Sequence, residues 1–252
     1  MQGRLLGLLP IAVVLAVWQL AAMAELYPTI LLPPPIDVAR VFLSDPGELG
    51  THALASITRV VLGVGIAVLF AVPLGLLIGR YRLLDRLTDW SIQVFRSFPP
   101  ISLIPLAILF FGIGDKPAII LIFLSAFWPL LINTIFGVRG VDQTLLRVAR
   151  VTRAGEGLVL RDVLLPNAMP AILTGLRLAV GGAWLTVVTA EMIAVRSGLG
   201  YMILNAQMTF RSDLIIAGIV VIGAIGLLAD QGIRLLRGVL CPWEAGLTAD
   251  PV

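Results

Sequence analysis

Six stretches of this chain are apolar for about 20 residues each, the length an α-helix needs to cross the roughly 30 Å hydrocarbon core of a bilayer. They are Leu5–Met23, Val60–Gly79, Leu87–Gly112, Pro117–Phe136, Ala171–Ala194 and Leu214–Leu236. The third is interrupted by Arg96, Pro99, Pro100 and Pro105. Only 13% of the 252 residues are charged and the mean hydropathy is +1.02. A soluble fold of this size cannot cover its surface with so few charges, so lipid has to be the solvent. The expected fold is all-α, a polytopic membrane bundle of about six helices forming one domain over residues 1–252. Arg4 ahead of the first run resembles the start of a secretory leader. That run is longer than a leader's apolar core, and five more follow, so it reads as a retained helix.

The loops set the orientation. Arg80, Arg82 and Arg86 follow the second run. Arg139, Arg147, Arg150, Arg153 and Arg161 follow the fourth, and Arg234 and Arg237 end the sixth. With six spans these lie on one side together with Arg4, and the positive-inside rule places both termini in the cytoplasm. The expected location is the inner, cytoplasmic membrane, with several passes. Residues 24–57 form the expected extracytoplasmic loop, where Pro33–Pro35 stop any helix and Ile36–Leu43 reads as a short surface helix. Residues 138–169 form the cytoplasmic loop. The net charge of +3 is accounted for by these loops, so nucleic acid is not an expected partner. Cys241 is the single cysteine and His52 the single histidine, which excludes an intramolecular disulfide and a cysteine-cluster metal site, and argues against a histidine-rich one.

The cytoplasmic loop is the most informative stretch. Leu145–Ala154 is expected to be helical, with Arg147, Arg150 and Arg153 basic and Leu146, Ala149 and Val151 apolar. Gly155 and Gly157 punctuate it, and a second short helix, Leu158–Leu164, is expected to end before Pro166. Two short helices around a glycine turn make a rigid knob that a partner groove can hold. A solvated basic loop resting on anionic headgroups fits the residues equally well.

This stretch resembles the cytoplasmic signature loop of binding-protein-dependent ABC importer permeases, a pattern of Glu-Ala-Ala, three residues, Gly, nine residues, Ile, one residue and Leu-Pro. Leu165 and Pro166 match its end, Val163 stands at the Ile position and Ala149 at the second Ala. The chain departs at Arg147 for Glu, Val148 for Ala and Arg153 for Gly, with Gly155 expected to supply the turn instead. Three further segments resemble the branch of that family serving nitrate, sulfonates and taurine. They are Ile57–Gly79, Phe98–Ile119 and Leu165–Ile203, the last with TGLR, AEM and SGLGY in order.

The resemblance implies a half-channel that pairs with a second permease copy, an identical one being expected. Two cytoplasmic ABC ATPase subunits would dock on the inside loops, centred on Arg147–Arg150, Arg153, Ala154, Gly155, Gly157 and Leu158. An extracytoplasmic binding protein would deliver the solute. No G-x-x-x-x-G-K-[ST] phosphate loop occurs in the chain. The chain is therefore not expected to be an enzyme or to bind a cofactor, and ATP and Mg belong to the ATPase. The expected solute is a small anion such as a sulfonate or nitrate, with a vitamin-precursor importer as the alternative. Other classes are a secondary transporter, which would call for inverted repeats, and a structural membrane subunit.

Polar groups inside the runs mark the candidate pathway. Arg96 with Ser97, Pro99 and Pro100 can attract an anion where prolines free backbone carbonyls. Alternatively Arg96 snorkels or pairs with Asp89. Trp128 and Trp184 lie deep enough to pack or to line a path, and Asn133 and Thr189 read first as helix–helix hydrogen bonds. Glu191 is expected to pair with Arg196 or with a residue of the neighbouring copy, or to form part of an outer gate. Arg177 is expected to snorkel, and Asp230 to pair with Arg234. Gly181, Gly182, Ala183, Gly218 and Gly223 are expected at close helix contacts.

Overall fold

The computed structural model describes residues 2–244, and all regular structure among them is helical. The order is α1 (Gln2–Met23), α2 (Pro35–Ser44), α3 (Pro46–Arg80), α4 (Arg82–Arg96), a 3₁₀ turn (Pro100–Leu103) and α5 (Ile104–Phe111). Then come α6 (Asp115–Arg139), α7 (Gln143–Val151), α8 (Glu156–Leu158), a π turn (Val159–Leu164) and α9 (Leu165–Ala194). α10 (Leu199–Met208) and α11 (Ser212–Leu240) close the bundle.

Among the described residues, four helical stretches are long and apolar enough to cross a bilayer: Pro46–Arg80, Asp115–Arg139, Glu156–Ala194 and Ser212–Leu240. A fifth crossing is possible in the bent pair Arg82–Arg96 and Pro100–Phe111, which turns by 76°. The expected third span is therefore not one rod. Pro99 and Pro100 have no N–H to offer, so the helix stops at Arg96 and restarts at Pro100. α4 is amphipathic and buries no residue. The expected first span falls in α1, which runs over 22 residues from Gln2 to Met23.

α3 is longer than hydropathy suggests. Its 35 residues at 1.5 Å each reach about 52 Å. It starts at Pro46, inside the stretch expected to be loop, because Asp45 accepts a hydrogen bond from the Glu48 N–H while Pro46 occupies the first turn. A hydropathy scan passes over that cap. The other departure is at Pro166, which does not end a helix. The Leu165 N–H bonds to the Leu160 carbonyl, five residues back, and this wider turn lets the chain run on from Glu156 through Pro166 to Ala194.

α6 is the centre of the bundle, with α3 on one side and α9 on the other. Residues 63, 67, 71, 75 and 79 of α3 are all Gly or Ala and recur every fourth position on one face. Without a hydrophobic drive between helices in lipid, such a stripe lets two backbones approach and gain dispersion energy. A Cβ at Gly75 would lie 2.6 Å from Thr134 Cβ, and one at Gly63 would lie 2.5 Å from Ile122 Cγ2. On the α9 side Gly175 meets Asn133 and Gly182 meets Ser125, while Gly218 of α11 packs on Ile203 of α10. Of the glycines expected at close contacts, Gly181 and Gly223 face open space instead.

Candidate functional site

α3, α6 and α11 run one way and α9 the other, so the bundle has two ends. One end carries α7, α8 and the π turn. Asp142 caps α7 by accepting the Thr144 N–H at 2.8 Å, and that bond is the main reason its carboxyl sits below the ordinary range. The helix closes with a Schellman turn. The Ala154 N–H reaches the Ala149 carbonyl at 2.9 Å and the Arg153 N–H reaches Arg150 at 3.1 Å. Arg153 takes the left-handed position itself, at φ 51°, whereas Gly155 sits at φ −64°. The turn expected at Gly155 is therefore made at Arg153, the position where the family pattern has Gly.

The closure fixes which side chains face out. Ala149 is buried against the core that holds Val159 and Leu164, and Val163, Leu165 and Pro166 are half-buried. Arg147, Arg150, Arg153, Gly155 and Gly157 are exposed. So are three apolar side chains, Val148, Val151 (83%) and Leu158 (53%), while Ala154 is half-buried. The result is an apolar tip ringed by arginines. Glu156 ties it to the bundle by accepting from Arg80 at 3.1 Å and from the Tyr81 hydroxyl at 3.4 Å. Arg139 pairs with Asp85 alongside.

The opposite end holds a buried polar lock. Glu191 of α9 has no solvent exposure and pairs with Arg59 of α3 at 2.6 Å. Its oxygens also accept the Ser56 hydroxyl at 2.8 Å and the Gly200 N–H at 3.0 Å. Arg59 continues outward, donating to Asp115 at the start of α6 at 2.8 Å and to the Ser197 carbonyl at 2.9 Å. His52 Nδ1 accepts the Gly198 N–H at 3.0 Å and the Ser56 oxygen accepts the Leu199 N–H at 2.9 Å. The first N–H groups of α10, which no turn of that helix can satisfy, are thus spent on α3 and α9. This explains the glycines of SGLGY. Gly198 has φ 104°, and a Cβ there would lie 2.2 Å from the Glu191 carboxyl carbon. One at Gly200 would lie 2.2 Å from the Val188 carbonyl oxygen.

Glu191 therefore does not pair with Arg196, which is exposed. Its partner Arg59 goes unnoticed when span two is taken to begin at Val60, because Arg59 then reads as a flanking charge. The signal available was a cation one residue outside that run, with carboxylates Asp115 and Glu191 at the same level of two other runs.

The remaining pathway candidates do not form one cluster. Ser97 donates to the Gln93 carbonyl at 2.7 Å, and Asp89 is bonded by Gln93 rather than by Arg96, which is exposed at the end of α4. Trp128 lies parallel to Phe95 with ring centres 6.4 Å apart. Together with Pro100 these rings line an apolar cavity of about 260 Å³ at the α4–α5 break. Pro99 is exposed beside it. Asn133 donates to the Pro129 carbonyl, Thr189 to Leu185, and the Trp184 indole N–H to Ile222 of α11 at 3.0 Å. Asp230 pairs with Arg234 at 2.7 Å as expected and also with Arg177.

Residues 71–237 match the sequence profile of the binding-protein-dependent transport system inner membrane component. The taurine transport system permease protein of Escherichia coli (strain K12) is 38% identical over 241 residues, covering 93% of this chain and 88% of that one. A putative aliphatic sulfonates transport permease protein of Bacillus subtilis (strain 168) is also 38% identical, over 96% of this chain and 88% of its own length. In fold, the chain is similar to an inward-facing structure of the MetNI methionine ABC transporter. The TM-score is 0.59 at 17% identity, over 72% of this chain and 93% of that one. A profile match over more than half the chain, with relatives this similar along nearly their whole length, places the protein in the family of inner-membrane permease components of binding-protein-dependent ABC transport systems.

Proposed function

We propose that two copies of this chain form the translocation pathway of an ATP-driven importer for a small sulfonate-type anion, and that α7 and Leu158 are the surface on which the ATPase docks. The single observation that supports the docking reading is the tip built from Val148, Val151 and Leu158. These side chains are exposed, while Ala149 beneath them is buried and the backbone is locked by the turn at Arg153. Exposed apolar side chains on so rigid a support are poorly explained by a solvated loop and well explained by a partner groove. ATP and Mg then sit on the ATPase, and this chain converts the movement of that subunit into a change of access. On this reading the tip and both termini face the cytoplasm, and the arginine-rich loops support it. A binding protein meets the opposite face.

Force delivered at the tip has two routes into the bundle. One is covalent, through the π turn into α9. The other is the Glu156–Arg80 pair at the end of α3. The two helices are joined again toward the opposite end by the Arg59–Glu191 lock, so a tilt at one end is resisted at the other. The solute class rests on the two relatives, whose printed substrates share a sulfonate headgroup.

The test is co-purification of the tagged protein from its own host in mild detergent with lipid. An ABC ATPase recovered with the parent chain and lost from Val151→Asp/Leu158→Asp supports the reading. Recovery of no ATPase with the parent, or equal recovery with the variant, overturns it.

A further inference from the structure

Beside the coupling elements, at the same end of the bundle, a cavity of about 450 Å³ opens between the end of α3, the start of α4, the end of α6 and α7. Three guanidiniums face it, from Arg80, Arg82 and Arg139, with the amide of Gln143 next to them. Two carboxylates offset part of that charge: Asp85 holds Arg139, and Glu156 holds the outer tip of Arg80. Arg82 makes no ion pair among the described residues, and the Nε of Arg80 is buried with no acceptor. Three cations against two anions leave one positive charge and at least one buried donor unanswered. A buried donor without a partner is costly, so an acceptor that enters the cavity is favoured. Ile78, Leu146 and Leu164 also line it, Ile78 and Leu164 being buried in the bundle.

The geometry points to a binding site for a phosphate group, held by Arg82, Arg80 and Arg139. A phosphate offers several acceptors to guanidiniums that present forked donors, which is the pairing arginine favours. Two sources carry that chemistry: the headgroup of an anionic phospholipid and free inorganic phosphate. The position of the cavity at the end of the bundle, where a headgroup could reach it, favours the lipid. The lipid source rests on the orientation proposed above, which brings this end to the leaflet richest in anionic headgroups. The cavity is walled by α7 and by Leu164 of the π turn, so an occupant would brace the coupling elements against α3 and α6.

The experiment uses the full chain in detergent and reads bound lipid by native mass spectrometry. Phosphatidylglycerol is titrated against phosphatidylcholine for the parent, Arg82→Gln and Arg161→Gln. A parallel arm measures thermal protection by inorganic phosphate. Arg82 is chosen because it makes no hydrogen bond or ion pair among the described residues and is exposed, so its replacement should leave the fold intact. Arg161 is a control of equal charge, 88% exposed on the neighbouring turn. Phosphatidylglycerol should be retained in preference to phosphatidylcholine, with its apparent affinity falling roughly fivefold or more in Arg82→Gln and unchanged in Arg161→Gln. Protection by inorganic phosphate that is lost in Arg82→Gln, without lipid preference, supports the site and assigns it a soluble source. Equal retention of both lipids with no phosphate protection overturns the proposal, as does an equal loss in both variants. Loss of ATPase recovery in Arg82→Gln without either phosphate effect also overturns it, and gives the cavity to the ATPase. The lipid and phosphate readouts need no ATPase, so failure of the importer reading and failure of the phosphate site are separable.

Discussion

Replacing Glu191 by Ala should remove the keystone of the lock without touching any exposed surface. The carboxylate has no exposure, and its partner Arg59 is 5% exposed along its side chain. Truncation leaves the guanidinium with Asp115 as its remaining charge partner and strands the Gly200 N–H and one bond of Ser56. Breaking a buried ion pair by removing one partner costs about 3–5 kcal/mol. For a chain of this length each kcal/mol is worth about 2–4 °C, so the apparent Tm in detergent should fall by about 6–20 °C. Glu191→Gln, which keeps an oxygen for the Gly200 N–H, should fall by less. In Glu191→Ala/Arg59→Met no charge is left buried, and the loss should be smaller than the sum of the two single losses. The assay is fluorescence-monitored unfolding of the purified protein, with chromatographic confirmation that each variant is monodisperse. A Tm for Glu191→Ala within about 2 °C of the parent would refute the reasoning, as would strict additivity in the double variant.

Arg153→Gly should relieve the left-handed backbone at the end of α7 by about 1 kcal/mol, slowing hydrogen exchange of the Ala154 amide about fivefold, whereas faster exchange would contradict the Schellman assignment. Gly75→Ala and Gly65→Ala should shift stability in opposite directions. The Cβ at 75 collides with Thr134 and costs about 1–3 kcal/mol, while that at 65 meets nothing within 4 Å and gains up to about 1 kcal/mol of helix propensity. Equal Tm values for the two would remove the small-residue stripe from the account. Glu156→Gln cuts the tie to Arg80 but leaves the apolar tip whole. ATPase recovery should be kept and solute uptake reduced, by less than about fivefold because the pair is exposed. A loss of recovery would mean that Glu156 belongs to the docking surface instead.

The sequence made the long helices legible wherever an apolar run and its flanking arginines coincide, as at Pro117–Phe136 against the observed Asp115–Arg139. It located α2 from Pro33–Pro35, and α7 from its basic and apolar alternation. It misread places where backbone hydrogen bonding overrides composition. The Asp45 cap starts α3 well before hydropathy rises, and the π turn carries the chain through Pro166. The AEM and SGLGY segments were legible as motifs but not as parts of one site. The groups they bind, Ser56 and Arg59, come from a helix some 140 residues earlier in the chain, and nothing local marks a contact across that separation. Conversely, Asn133, Thr189 and Trp184, polar groups inside apolar runs, are answered by backbone carbonyls of their own or a neighbouring helix. Membrane helices satisfy hydroxyls and amides in this way without any ligand.

The central claim is that the α7 end of the bundle faces the ATPase in the cytoplasm. A photoreactive amino acid placed at Val151, with a second chain carrying it at Asp213 at the opposite end, tests this directly when each is irradiated in native membranes. The account expects a cross-link from position 151 to an ABC ATPase and none from position 213. Cross-linking to the ATPase from 213, or from neither position while the protein is intact in the membrane, would contradict it.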